Sequence, residues 1–514
     1  MRGEPCTKQR AEAEKRATGS SSARIRVIAP LLWRVLAVAG WTSLTSRARV
    51  LPEPMTAPVP RALDPSSEPR GAVDPYAALR SPNYRRFAVG FLFSSAGLQM
   101  LATAVGWEIY ERSQDPMALG WVGLARALPV ILFALPAGQV IDRFDRRWVL
   151  VLTQIAMGLG AAALAVASHR GDAPLLLMYG LLALMGCARA FNGPSRATLL
   201  PLIVAPGAFA NAVAWNSSVF HLSAVLGPIV AGVMLARFGS AWEVYAITAT
   251  FCFLFAITAM GLRPREAQRA SGPISLSSLF AGAGFIWREK PILGALTLDL
   301  FAVLLGGATA LLPIYAKDIL KVGPEGLGLL RAAPFVGAFL MSLMLTRLPP
   351  FRRSGRVLLW SVAGFGVSIV VFGFSTIFWL SLVALFMSGV LDTVSVVIRH
   401  VLVQLRTPNE LRGRVSSVNS VFIESSNELG AFESGLVAAY FGVVFSVVSG
   451  GIGTVLVVGA VALSLPQLRK LGELHDRDLE DPDGARSPSH TPHTPHTPHA
   501  PLGPLGPSSP PAPD

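Results

Sequence analysis

From Phe87 onward, apolar stretches of about twenty residues follow one another along the chain, each long enough to cross a ~30 Å hydrocarbon core as a helix. Inside lipid no water is present to bond exposed amides, so each stretch must satisfy its own backbone, which separate twenty-residue runs do as helices. Spans are predicted near 87–111, 118–139, 148–168, 174–194, 209–236, 242–262, 291–316, 326–346, 357–378, 379–404, 415–440 and 443–466, about twelve in all. Composition agrees: 52% of the 514 residues are hydrophobic and only 15% are charged. A soluble chain carries roughly a quarter of its residues charged. The chain therefore reads as an all-α polytopic membrane protein.

A formal net charge of +13 does not indicate nucleic acid, because the basic residues are not gathered on one face of a folded domain. They fall at alternate connections between spans. Eighteen Lys and Arg lie at the five predicted inner connections, among them Arg143, Arg146, Arg147, Arg189, Arg196 and Arg399. Only Arg112, Arg170, Arg237, Lys317 and Lys321 lie at the outer ones. The positive-inside rule then puts both termini in the cytoplasm, in a bacterial cell (inner) membrane. Cys6, Cys187 and Cys252 are too few and too scattered for a disulfide framework or a zinc site, and no metal or cofactor is expected.

The chain also repeats itself. Gly123-Leu124-Ala125-Arg126-Ala127-Leu128-Pro129 returns as Gly328-Leu329-Leu330-Arg331-Ala332-Ala333-Pro334, an offset of about 205. At nearly the same offset Arg196, Leu199, Leu202, Asn216, Ser217, Gly227 and Gly232 match Arg399, Leu402, Leu405, Asn419, Ser420, Gly430 and Gly435. Two matches at almost one offset indicate two six-span halves in parallel register, with a substrate site between them. The expected layout is a polar leader over 1–85, a six-helix bundle over 86–262, a cytoplasmic loop over 263–290, a second bundle over 291–467 and a Pro/His-rich tail over 468–514. Leader and tail are expected to lack fixed structure. The apolar run from Arg24 to Leu44 contains Arg34 and Pro30, and reads as a thirteenth span, an interfacial helix or an upstream stretch ahead of a start at Met55, the last being favoured. In the tail, His490, His493, His496 and His499 recur every third residue; a solvated low-complexity segment is preferred to metal capture.

Between the second and third spans stands Gly138-Gln139-Val140-Ile141-Asp142-Arg143-Phe144-Asp145-Arg146-Arg147. Gly138 lets helix ends approach, Asp142 can accept from a helix N-terminus, and Arg143, Arg146 and Arg147 can pair with carboxylates. Such a cluster can latch one state of a transporter; the plainer reading is a basic loop that only sets topology. This spacing resembles the cytoplasmic signature of the major facilitator superfamily, with Asp145 where that family usually has Gly. The stretches Leu119 to Pro129, Phe191 to Pro201, Asn211 to Gly232 and Gln404 to Gly435 resemble the branch of the superfamily that contains the enterobactin exporter and related efflux proteins. In the fifth span, Ala214, Ser223, Gly227, Pro228, Ala231 and Gly232 resemble the antiporter motif of exporters, although small-residue helix packing alone produces a similar pattern. The resemblance implies the twelve-helix major facilitator fold and efflux by alternating access.

Ionisable side chains at membrane depth are costly unless paired or wetted, which makes each a functional candidate. Asp299 lies about eight residues into the seventh span, Asp392 near the middle of the tenth, and Glu424 and Glu428 share one face of the eleventh. The repeat positions of the two glutamates are His221 and Val225, so the proton or substrate chemistry is expected in the second half. Asn216 and Asn419 are candidates to bond a polar substrate. No Gly-x-x-x-x-Gly-Lys-Ser/Thr loop is present and no catalytic constellation is found, so neither an ATP-driven pump nor an enzyme is expected. The expected function is proton-coupled efflux of a small amphipathic organic molecule, such as a drug, siderophore or secondary metabolite, by a monomer in the bilayer. An importer or lipid flippase on the same scaffold is the alternative.

Overall fold

The computed structural model describes residues 74–265, 284–349, 351–469, 471 and 472. Residues 24–44, Met55 and the histidine repeat of the tail lie outside the described residues, as does most of the central loop. The first long helix, α1 (Pro82–Ser113), begins inside the segment expected to be leader. Ser81 accepts a bond from the Tyr84 amide, and Pro82 occupies the first helical turn, where a missing N–H costs nothing. Tyr84 and Phe87 are buried, so this turn belongs to the bundle.

Eleven further helices follow: α2 (Pro116–Arg143), α3 (Arg146–Arg170), α4 (Leu175–Ile203), α5 (Phe209–Phe238), α6 (Trp242–Met260), α7 (Lys290–Leu305), α8 (Gly323–Leu345), α9 (Ser354–Phe374), α10 (Phe378–Arg406), α11 (Asn409–Phe441) and α12 (Val443–Ser464). Among the described residues, eleven segments are long and apolar enough to cross a membrane by themselves. The twelfth, α11, is long enough but too polar, because Glu424, Glu428 and Glu433 and a run of Ser and Asn interrupt it. It is sheltered between α2 and α7, where such groups find partners.

The seventh span runs to Ile319, but only its first part is regular. After Gly306 it passes through a 3-10 turn (Gly307–Leu311) and ends in a π turn (Tyr315–Ile319). A side chain at Gly307 would stand 2.5 Å from the Gly430 carbonyl oxygen, so the break falls where α11 presses hardest. The fourth span also departs from expectation, extending nine residues past its predicted end through Pro194 and Pro201. Each proline removes one helix amide, yet the helix continues past both; the Ser195 hydroxyl donates to the Phe191 carbonyl at 2.7 Å and Thr198 to that of Pro194 at 3.0 Å. Arg189 and Arg196, read above as charges of an inner connection, therefore stand on a helix. Arg399 likewise lies inside α10 and is buried.

The packing repeats as the sequence does. In the first half α1 packs on α5 and α6, α3 on α4 and α6, and α2 on α4; in the second, α7 packs on α11 and α12, α9 on α10 and α12, and α8 on α10. Two seams join the halves, α2 with α11 and α5 with α8. Glycines from the repeat make both. A side chain at Gly435 would stand 2.5 Å from the Gly120 Cα, and one at Gly123 would stand 2.7 Å from the Glu428 carbonyl. In the second seam, side chains at Gly232 and Gly328 would each stand 2.5 Å from a carbonyl of the facing helix, that of Pro324 and that of Pro228. Both seams lie in the first turns of α2 and α8, at the end of the bundle that carries the α1–α2 and α7–α8 connections.

Apolar packing follows the same division. One cluster unites the halves at that end, from Ile109 and Leu119 to Leu312, Tyr315 and Leu327. At the opposite end each half has its own core, around Phe87, Leu150 and Phe255 in the first and around Leu298, Leu358 and Leu402 in the second. The joined end carries a polar tie as well: the Tyr110 hydroxyl donates to the Asp318 carboxylate, and Lys317 lies 3.9 Å from Glu111.

Candidate substrate cavity

A cavity of about 380 Å³ opens below the joined end. Helix α1 lines it with Phe91, Ser94, Leu98 and Gln99, α3 with Gln154 and Met157, and α4 with Leu182, Met185, Arg189, Asn192 and Arg196. Arg126 of α2 and Phe220 of α5 complete the first-half wall, and Glu424 of α11 is the lining residue from the second half. Against the expectation from the repeat, the wall is chiefly first-half. The unequal polarity of the halves was legible, but which helix faces converge was not. A signal did exist in α4, where positions 189, 192, 193 and 196 are spaced by three and four and so share one face.

The polar side chains are partly satisfied among themselves. Ser94 donates to the Gln154 amide oxygen at 2.9 Å, and Asn192 donates to the Thr153 hydroxyl at 3.1 Å. Glu428 lies in the seam beside the cavity. One of its oxygens, Oε1, meets Arg126 at 3.3 Å and Arg189 at 3.1 Å, so a second-half carboxylate ties two first-half guanidinium groups. Glu424, one turn earlier on the same face, has no cation at ion-pair distance among the described residues.

The other predicted carboxylates lie apart from this cavity. Asp299 is 7% exposed and pairs with Arg399, itself 2% exposed, which joins α7 to α10 inside the second half. Asp392 sits two turns earlier on α10 in the field of that pair, without an ion-pair partner among the described residues. Sequence spacing could not find the Asp299–Arg399 pair, because its members are a hundred residues apart. Glu108 of α1 is buried and holds Arg112 at 2.5 Å and the Tyr245 hydroxyl at 2.7 Å.

Neither asparagine candidate lines the cavity. Asn216 accepts from the Tyr84 hydroxyl at 3.2 Å. Asn419 is buried, and its side-chain oxygen lacks a partner among the described residues. His221 bonds the Ser217 carbonyl at 2.7 Å and meets the Phe220 ring edge-on and the Phe339 ring at a tilt, which makes it a packing histidine.

In the fifth-span motif, Ser223 donates to the Leu92 carbonyl, and a side chain at Gly227 would stand 2.8 Å from the Ala96 carbonyl, so these residues seat α5 on α1. Pro228 and Gly232 face α8 instead. One small-residue helix thus packs within its half and across the seam. In the loop signature the Asp142 side chain lies outside the described residues. Arg147 donates to the Leu262 carbonyl at 2.8 Å just past the end of α6, rather than to a carboxylate. Asp145, which replaces the usual glycine, has φ −63° and accepts from the Arg147 amide at 2.8 Å. The position needs no left-handed backbone, and its aspartate caps α3.

Two pseudo-symmetric six-helix bundles, joined at one end, with a cavity beyond the joint walled chiefly by the first, make a multi-pass membrane transporter that acts on a small molecule. The sequence profile described as transmembrane secretion effector matches residues 73–485. The chain belongs to that family, within the major facilitator superfamily. It is 25% identical to the enterobactin exporter EntS of Shigella boydii serotype 18 over 395 residues, 76% of this chain and 93% of that one, and equally so to EntS of Escherichia coli O139:H28. Solved structures share the fold. A bacterial homolog of the human lysosomal transporter Spinster, inward-facing and occupied, superposes with TM-score 0.60 at 14% identity, covering 77% of this chain and 99% of that one. The D-xylose-proton symporter gives 0.58 at 13%, covering 77% and 100%.

Proposed function

We propose that the protein is a proton-coupled exporter of small amphipathic organic molecules, working as a monomer without a cofactor in the cell (inner) membrane, with both termini cytoplasmic. The observation that carries this reading is the division of the packing: one shared apolar cluster and two glycine seams at the α1–α2 end, and separate cores with a cavity between the halves beyond them. With the orientation read from the basic residues, this state is closed outward and receives substrate from the cytoplasm. Exporters among its relatives support the outward direction. Rocking the halves about the cavity would open the seams and release substrate outside.

Protons need a site that can change charge. Asp299 is held by Arg399 and Glu428 by two arginines, whereas Asp392 and Glu424 have no such partner among the described residues. These two are the coupling residues of the proposal, because protonation there would remove a costly charge without breaking an ion pair. The test begins with a compound panel, comparing accumulation in cells with and without the protein. The compound kept out is then studied in liposomes with an imposed pH gradient. Asp392→Asn or Glu424→Gln is expected to abolish uphill transport and keep substrate exchange. Equal accumulation of every compound would refute export, and unimpaired uphill transport in both variants would refute this coupling site.

A further inference from the structure

The charges around the cavity do not balance. Arg126, Arg189 and Arg196 line it; Glu424 is the lining carboxylate, and Glu428 reaches in from the seam. Arg331, the repeat partner of Arg126, adds a fourth positive charge that acts on both Arg126 and Glu428. Four guanidinium groups thus face two carboxylates. In a wall shielded by lipid and protein such an excess calls for a counter-charge.

The imbalance is sharpest at Arg196, and the repeat shows why. Its partner Arg399 is neutralised by Asp299 from the first helix of its own half. The matching stretch of α1 offers Ser94, Ser95 and Ala96 and no acid. Arg196 instead lies 4.3 Å from the Phe91 ring, its Nε is buried without a hydrogen-bond partner among the described residues, and no carboxylate comes within ion-pair distance. A guanidinium over an aromatic face still has its in-plane donors free for an anionic fork. Around it stand side-chain amides from Gln99, Gln154 and Asn192, and an apolar side formed by Phe91, Leu98, Met157, Leu182, Met185 and Phe220.

Resting on the export reading, we propose that the substrate is an organic anion with an apolar body, which docks on Arg196 and competes with Glu428 for Arg126 and Arg189. Glu428 and the substrate are then alternative ligands of the same two arginines. Glu428 belongs to α11 and the arginines to α2 and α4, so an anion that takes its place also removes a tie between the halves beside the Gly123 seam. Occupancy is thereby coupled to the contact that must loosen for the outer end to open.

The test uses the full chain in lipid nanodiscs and three probes of one shape: 1-naphthoate, the neutral 1-naphthamide and the cation 1-naphthylmethylammonium. Binding is measured calorimetrically. The wild type is expected to bind naphthoate about tenfold more tightly than the amide, and the cation more weakly still. Arg196→Gln should erase the preference for the anion, and Arg196→Lys, which keeps the charge, should retain it. Glu428→Gln should strengthen naphthoate binding by about tenfold and leave the amide unchanged, since it removes only the competitor. A merely structural role would move both probes together. The proposal is overturned if amide or cation binds as well as naphthoate, if Glu428→Gln fails to raise naphthoate affinity, or if the folded protein binds no naphthoate at millimolar concentration. Binding is read without transport, so anion preference in a protein that exports nothing counts against export alone, and export of neutral or cationic compounds without that preference counts against this proposal alone.

Discussion

Replacing Gly328 by valine should tilt the protein toward opening at its joined end. A Cβ at this position would stand 2.5 Å from the Pro228 carbonyl oxygen and 3.2 Å from the Ile229 Cα, both backbone atoms, so no flexible side chain can yield. Overpacking of this kind costs about 1–3 kcal/mol. The cost falls on the state in which α5 and α8 touch and vanishes in a state in which they part. The equilibrium between the two should therefore shift by about 5- to 150-fold. Double electron–electron resonance reads this directly, with spin labels on cysteines replacing Asp172 and Thr376 in a background lacking Cys6, Cys187 and Cys252. Both sites are exposed turns, one in each half, at the same end of the bundle. A longer-distance population should appear in Gly328→Val and not in Gly180→Val, whose added side chain would meet nothing within 4 Å. An unchanged distance distribution in folded Gly328→Val, or an equal change in both variants, would refute the seam as the closing contact.

Two stability predictions follow from single contacts. Asp145→Ala removes the N-cap of α3 and should destabilise the protein by about 1 kcal/mol, lowering its melting temperature in detergent, whereas Asp145→Asn should be nearly neutral because asparagine caps as well. Arg399→Met leaves the Asp299 carboxylate buried without its partner and should cost about 3–5 kcal/mol, much of it regained in the double variant with Asp299→Leu. Denaturant unfolding of the four species closes the cycle, and additive single effects would show that the pair carries no coupling energy.

The spans were legible because lipid leaves the backbone few choices, and the repeat was legible because both halves solve one packing problem. Gly123, Gly232, Gly328 and Gly435 were already marked by their recurrence. Their purpose was not, since it depends on pairing α2 with α11 and α5 with α8 across the halves, which spacing along one chain does not encode. Reading Arg196 as a loop charge failed for a local reason. Pro194 normally ends a helix, yet α4 continues through it to Ile203. Asp299 was found by its depth, but its partner Arg399 had been assigned to topology.

That last error bears on how the two halves differ. Arg196 and Arg399 occupy equivalent positions, and a charge that only set topology would have no need of a partner at either. The second half nevertheless supplies Asp299 and buries the pair, which fixes α7 against α10 and leaves no charge for a ligand. The first half supplies serines and a phenylalanine at the corresponding surface, and its arginine faces the cavity without an ion pair among the described residues, in the field of Glu424. One repeat position has thus become an internal brace in one bundle and a candidate binding group in the other. The scaffold's symmetry serves the motion, since both seams must part together, whereas recognition needs one asymmetric wall. The division of charge between Arg196 and Arg399 is where those two demands separate.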